Sequence, residues 1–397
     1  MAKGIGRLVA FGLAKETTRG AAISTATYWL PFDDLSIDEK FDNAVADQAL
    51  GVIENSFYEY RVKNYADGSA KFPMMDRSTG LLFLSLLGAQ AVSTIATGVY
   101  AHTFSVGESA QHPSLTLFIH DPVGGTDYSH ANGVVHKMDI DAQLKKFVQL
   151  SASVRAQKGV AQSAFTPSIL TENRFIPQYM TFAVAPTLAG ANGTLTATGT
   201  ASSTTALTGL SISTTLLRVG MTVSGTNVAA GTTITAIVSA SAVTLSTATT
   251  GSATSFTFGG AVIPLKNFKL TIDANIEDQE VLGNVAPADY LNKEFKVEGQ
   301  FEAIYQNLTD FKNAALATPN VAQALYVSFI NSDVTIGTAS NPQLVISLDQ
   351  CFYTEYGRPI KVKDLIYQTV KFRCTFSQAS SEMLNIVLQN TVSGTYA

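Results

Sequence analysis

A stretch near the start of this chain, Asp33 to Gly88, returns in degraded form from Lys266 onward. Leu35-Ser-Ile-Asp38 is answered by Leu270-Thr-Ile-Asp273, Asp47-Gln-Ala-Leu-Gly51 by Asp278-Gln-Glu-Val-Leu-Gly283, and Ala66-Asp-Gly68 by Val297-Glu-Gly299. Each copy reads as a strand, an acidic loop containing Leu-Gly, and an alternating strand, Phe57 to Tyr65 or Leu291 to Val297. A turn at Asp67-Gly68 or Glu298-Gly299, another strand and a short apolar helix follow. Farther on, Ser114 to Ile119 resembles Pro342 to Ser347. Paired strands then close each half, Val134 to Ile140 with Phe147 to Arg155, and Cys351 to Glu355 with Ile366 to Phe376. Such an echo implies two related β-rich halves on one chain, and a mainly β fold with short flanking helices.

The chain has 397 residues, 46% hydrophobic and 14% charged, which is enough to bury substantial cores and too long for one ordinary domain. That composition excludes disorder. A net charge of −5 argues against a nucleic-acid clamp, which needs clustered Lys and Arg against phosphates. Cys351 and Cys374 are too few for a disulfide scaffold. They flank the Gly357 to Lys363 turn, so a hairpin could set them opposite one another, although buried free thiols are the favoured reading. Leu81 to Ala101 is free of charge over a membrane-spanning length, but Ser85, Gln90, Ser93, Thr94 and Thr97 interrupt it and no basic flank orients it. A buried helix over Ser78 to Leu87, capped by Gly88, is expected instead.

Patterns that carry chemistry fail one after another. Lys3 and Arg7 precede the apolar Leu8 to Ala14 as in a signal peptide, but the run ends too soon, at Lys15-Glu16. Gly4-x-Gly6 has no preceding strand and no third Gly, so it is not a phosphate loop. Residues 1–30 read as an extended arm rich in Gly, Ala and Thr, and Trp29, the only tryptophan, as a core or docking aromatic. His102, His112, His120, His130 and His136 gather near Asp121 and Asp127 without the close pairs of a zinc site, and read as loop and strand-end residues. There is no Gly-x-Ser-x-Gly elbow, and no His follows residue 136 to serve either cysteine. Asp33-Asp34, Asp38-Glu39 and Asp139 with Asp141 suit a solvated strand face better than acid–base work. Neither an enzyme nor a cofactor is expected.

Between Thr187 and Gly260 the only charged residue is Arg218, and Thr, Ser, Ala and Gly surround short alternating runs such as Thr233-Ile-Thr-Ala-Ile-Val238. β-Branched residues at period two predict a small β-sandwich inserted between the halves and bracketed by Pro186 and Pro264. Its Val219 to Gly225 and Ala230 to Val238 segments resemble the immunoglobulin-like modules that decorate phage structural proteins.

The two halves resemble the tail tube proteins of long-tailed bacteriophages. The resemblance rests on Gly12-Leu-Ala-Lys-Glu-Thr-Thr18, Tyr28-Trp-Leu-Pro31, Leu50-Gly-Val-Ile-Glu54, Ala66-Asp-Gly-Ser69, Gly80-Leu-Leu-Phe-Leu-Ser-Leu-Leu-Gly88 and Val134-Val-His-Lys-Met138. It covers about residues 5–186 and, through the repeat, 261–397, while the 187–260 insert departs from the minimal family pattern. The resemblance implies a fold of packed β-sheets, rings stacked along a virion tail assembled in the host cytoplasm, other tail proteins at the tube ends, and a lumen through which DNA passes without specific binding. The expected organisation is an arm (1–30), a first tube-fold repeat (31–186), the inserted β module (187–260) and a second repeat (261–397).

Ring closure also fits the physics, because it removes strand edges that would otherwise template aggregation. Candidate lumen-lining acids on or beside the repeated strands are Asp33, Asp34, Asp38, Glu39, Glu59, Asp273, Glu277 and Glu294. Candidate contacts between subunits or rings are Trp29, Tyr58, Tyr60 and Phe295. Two repeats per chain imply a homotrimeric, pseudo-hexameric ring, with a hexamer of single units as the alternative. A surface decoration or adhesin protein is the competing class, suggested by the Thr/Ser-rich insert alone. No membrane partner is expected.

Overall fold

The computed structural model describes residues 5–46, 48–49, 51–54, 58–306, 311–360, 362 and 364–396. Of the residues singled out above, Lys3, Gly4, Asp47, Leu50, Phe57 and Lys363 lie outside this set. The first part contains β1 (Ala10–Lys15), β2 (Tyr28–Leu30), β3 (Asp34–Val45), β4 (Glu59–Pro73), helix α1 (Thr79–Leu87), β5 (Gly88–Ala96), β6 (Val99–Val106), β7 (Leu115–His120), β8 (Asp127–Gln143), β9 (Gln149–Ala156), β10 (Val160–Gln162) and β11 (Met180–Ala185). The Thr/Ser-rich segment supplies β12 (Leu195–Ser202), β13 (Ala206–Leu207), β14 (Met221–Ser224), β15 (Ile234–Ser239), β16 (Ala242–Leu245) and β17 (Ser252–Val262). The remainder comprises β18 (Leu265–Asp273), β19 (Ile276–Gln279), β20 (Asp289–Asn292), β21 (Lys296–Ile304), β22 (Gln323–Ile330), β23 (Gln343–Gly357), β24 (Tyr367–Cys374) and β25 (Leu384–Asn390).

One antiparallel ladder runs through most of the molecule in the order β3-β4-β9-β8-β18-β21-β24-β23. The first four strands come from the first part of the chain and the last four from the last part, and β8 and β18 join them. Within each four, registers match closely. Gly68 lies opposite Ile37 and Val154, and Gly299 lies opposite Leu270 and Phe372. Both outer strands slip register once, between Val135 and Lys137 in β8 and between Tyr353 and Glu355 in β23. A bulge at one corresponding place re-aims both strands alike.

The dipeptides Asp67-Gly68 and Glu298-Gly299 do not make the expected turns; β4 and β21 run straight through them. The glycines are there for close approach, since a Cβ on Gly68 would lie 1.7 Å from the Ser36 carbonyl oxygen and one on Gly299 would lie 2.6 Å from that of Lys269. The register also moves two sequence matches. Ile37, not Leu35, stands where Leu270 stands, and the strand that flanks β23 as β7 flanks β8 is β22, not Pro342 to Ser347.

The expected arm is another departure. Ala10–Lys15 is a buried strand between β2 and β7, with Phe11 and Leu13 in the core. Gly12 forgoes a side chain because Trp29 packs at the place a Cβ would occupy. The helix forms as predicted, over Thr79–Leu87, and its last turn is closed by Gly88 at φ 88°. Every residue of α1 is buried. No helix among the described residues is long and apolar enough to cross a membrane.

β12, β14 and β17 form one sheet of the inserted segment and β13, β16 and β15 another, with Leu207, Met221, Val223, Ile234, Val243, Leu245, Phe256 and Phe258 buried. The end of β17 pairs with β11 (Val184 opposite Ala261), much as β2 pairs with β1 (Leu13 opposite Tyr28). The Thr/Ser-rich segment thus follows β11 and returns through β17 at the place where residues 16–27 connect β1 to β2 in the first part of the chain.

Candidate assembly surface

Alternation along the eight-stranded ladder sends one side chain inward and the next outward. Met138, Ile140, Leu150, Ala152, Leu270, Ile272, Phe301 and Val370 are buried. The opposite face carries Lys71, Asp67, Arg155, Asp139, Asp141, Lys137, Lys269, Asp273, Glu298, Glu302, Lys371 and Arg373, with Ser and Thr between them. Acids and bases alternate across strands: Arg155 bonds Asp67 at 3.2 Å, Lys371 bonds Glu355 at 2.6 Å, and Lys266 reaches Glu302 at 3.4 Å. The Thr271 hydroxyl donates to Asp139 across the β8–β18 join. This surface is polar and of mixed sign, with no basic stripe to grip a polyanion.

Among the acids proposed from sequence, Asp34, Asp38 and Asp273 project from this polar face. Glu39 has the opposite phase and lies beside His130 in a surface groove with Ile37, Ile119 and Tyr128. Asp33 precedes β3, and Glu59 sits on the far end of the β3–β4 hairpin, where it accepts from Asn43. Glu277 belongs to the β19–β20 hairpin and pairs with Lys293. Glu294 lines a separate groove with Glu108, Phe376 and Met383. The sequence reading missed the bases on the polar face, whose signal was the same period-two alternation that marked the acids.

The connection between β18 and β21 folds back as the β19–β20 hairpin and lies on the first part of the chain. Asp278 receives Arg155 at 2.9 Å and Lys63 at 2.7 Å. Burial pushes its carboxyl up, but the hydrogen bonds and charges of Lys63 and Arg155 outweigh that and hold it below the usual carboxylate range. Asp289 accepts from Arg19 at 2.6 Å and Gln111 at 2.6 Å. The fully buried Tyr290 donates to the Ala156 carbonyl at 2.8 Å. Residues 16–20 complete the grip, because Glu16 accepts from Ser114, Thr116 and the Gly20 and Asn132 amides and so holds Arg19 in place.

The matching connection of the first part, between β3 and β4, has a different fate. The limbs of β3 and β4 that flank it pair as a long hairpin and leave Phe41, Val45, Tyr58, Tyr60 and Val62 exposed, Tyr58 and Tyr60 stacked at 5.8 Å. Two edges are also unpaired among the described residues, β3 on its side away from β4 and the Phe352 to Glu355 part of β23 on its side away from β24. Trp29, named above as a candidate contact, has a buried side chain. It is 7% exposed and packs on Phe118 and Phe165 of its own chain. Phe295 is half-buried against His112, with ring centroids 5.5 Å apart.

The histidines serve the fold individually. Gln90 donates to His102 Nδ1 and His102 Nε2 donates to Asn390 and Val392, while His112 donates to the Leu86 carbonyl and His120 faces Asp127. No group of three His, Cys, Asp or Glu among the described residues is placed to hold a metal. Cys351 and Cys374 are buried free thiols and also direct cross-strand neighbours, so the two alternatives left by the sequence hold together.

A family model described as phage tail tube protein matches residues 6–374. No curated protein matches the chain.

Proposed function

Because the chain belongs to the phage tail tube protein family, a structural component of the virion tail that assembles with itself into a tube, we propose that it carries two tube-fold units and that three chains close one ring. The observation that carries this reading is the β8–β18 join, in which one set of four strands continues directly into another of the same order, register and bulge position. Three further junctions of the same kind, each joining β23 of one copy to β3 of the next, would close the ring and leave no edge open.

The in-chain join supplies the register. Lys137 lies opposite Asp273 and Asp139 opposite Thr271. Transferred through the matching registers, Glu355 of one copy faces Lys40 of the next and Gly357 faces Asp38. The charges are exchanged relative to Lys137 and Asp273 but remain complementary, which supports the pairing.

The polar face of the ladder would then line the channel. With acids and bases interleaved, it offers passing DNA neither a basic grip nor a uniform acidic wall, so duplex can slide. The Thr/Ser-rich β module, leaving the ladder at the β11–β17 hairpin, would stand off the tube wall in the manner of an immunoglobulin-like decoration. Measuring the mass of isolated rings tests the stoichiometry. Three chains per ring are expected, and six would refute the two-unit reading.

A further inference from the structure

We infer that the exposed β3–β4 hairpin is a lateral clasp that seats on the second unit of a neighbouring copy within the same ring, with Tyr60 inserting beside Arg373 and Cys374. The inference rests on the two-unit ring just proposed.

Its warrant is the in-chain precedent. The β19–β20 hairpin arises from the connection between β18 and β21, crosses the β8–β18 join, and lies on the unit to which its own unit is paired. There Arg155 holds a carboxylate of the hairpin, and the next residue, Ala156, presents its carbonyl to the Tyr290 hydroxyl. The β3–β4 hairpin arises from the corresponding connection. It carries a similar acid-Tyr pair on its returning limb, Glu59-Tyr60 at the start of β4 against Asp289-Tyr290 at the start of β20. Tyr290 is fully buried, whereas Tyr60 is 65% exposed.

The receiving surface is present too. By the registers opposite Gly68 and Gly299, Arg373-Cys374 stands in the second unit where Arg155-Ala156 stands in the first. Arg373 is exposed and makes no ion pair among the described residues, although it has the position and charge of a side chain that holds Asp278 at 2.9 Å. Phe376, 52% exposed, lies two residues beyond. Exposed phenol and valine on the hairpin, and an unpaired guanidinium with an exposed phenyl on the second unit, suit one another in charge and in apolar character. The occupant is therefore a second copy of this chain.

Hydrogen exchange of residues 58–62 in monomers, in isolated rings and in stacked tubes tests the clasp. Protection appearing in isolated rings supports it. Protection appearing only in stacked tubes overturns it and makes the hairpin an axial contact between rings. Tyr60→Ala and Arg373→Glu, both at exposed positions, should leave the monomer's melting temperature unchanged and weaken ring closure at least tenfold. The double variant should be little worse than either single one. Wild-type rings of three chains together with unimpaired variants would overturn the clasp alone, whereas a wild type that closes no ring of three would overturn the two-unit reading and the clasp together.

Discussion

The two four-stranded sets share a scaffold and fill its interior differently. Beneath β4 and β9 the first set has Ala66, Ala70, Ala152 and Ala156, and its volume is taken by α1, a helix buried on every side. At the positions matching Ala66, Ala70 and Ala152 the second set has Val297, Phe301 and Val370, and the described residues place two four-residue helices there, Leu188–Ala191 and Lys312–Ala315, in place of α1. Phe301 is its hub, 4.9 Å from Phe182, 5.1 Å from Phe311 and 6.2 Å from Phe372 between ring centroids. Close packing at constant density can be met by a helix over small residues or by rings over none, and the ladder is indifferent to the choice. What the ladder does constrain is the glycine at Gly68 and Gly299, where strands approach too closely for a side chain in either set.

The contrast can be broken most severely at the hub. Phe301→Ala should destabilise the protein by about 3–5 kcal/mol, as truncation of a buried phenyl does, measured by denaturant unfolding. The reciprocal Ala70→Phe should also destabilise, by about 1–3 kcal/mol, because α1 occupies the space. If Ala70→Phe proved neutral, the two interiors would be interchangeable.

The first interior is closed from a distance by Tyr396, whose hydroxyl donates to the Arg77 carbonyl at 2.6 Å and accepts from Asn390 at 2.9 Å. A Cβ on Gly80 would meet its ring at 2.2 Å. Tyr396→Phe removes two hydrogen bonds, while the Arg77 carbonyl keeps the Gly80 amide and Asn390 keeps the Asp76 carbonyl, and should cost about 1–3 kcal/mol with the fold retained, checked by thermal unfolding and near-ultraviolet circular dichroism.

Excising the β module between Pro186 and Ala261 with a short linker sharpens the comparison from the other side. Arg218 of the module lies over the Phe311 ring at 4.8 Å, so the second interior should lose about 0.5–2 kcal/mol. The β8–β18 join is untouched, and ring assembly seen by microscopy should persist. A folded excision variant unable to assemble would show that the module builds the wall.

The smallest effect is that of pH. His102 and His130 are buried, and burial depresses both imidazoles below their ordinary value of 6.5. The unfolded chain therefore takes up protons first, so the stability these residues contribute is complete above about pH 6.5 and is lost as pH falls through the folded values. Melting temperatures should drop modestly between pH 7 and 5.5, and less so in a His130→Asn variant.

Strand alternation made the β class and the outer strands of each set legible in the sequence, and a charge-free apolar run ending at Gly88 did the same for the helix at Thr79–Leu87. It misled at Asp67-Gly68, because a turn dipeptide and a close-approach glycine within a strand look the same without the neighbouring strand. β1 was missed for a related reason: Ala10-Phe-Gly-Leu-Ala14 is buried on both faces, so no alternation marks it. The polar face was half-legible. Acids drew attention as candidate lumen groups, while Arg155 and Lys137 gained meaning only once strand pairing set them opposite carboxylates. Trp29 could not be assigned to core or contact, because its partners Phe118 and Phe165 are far away in sequence.

The position of Tyr396 also orders events in time. A ribosome delivers α1 and the strands around it long before it delivers residue 396, yet that residue completes the interior between Gly80, His102 and Phe104. Until then the space beside α1 stays open and the Arg77 carbonyl lacks the Tyr396 hydroxyl, so the first interior cannot reach its final packing.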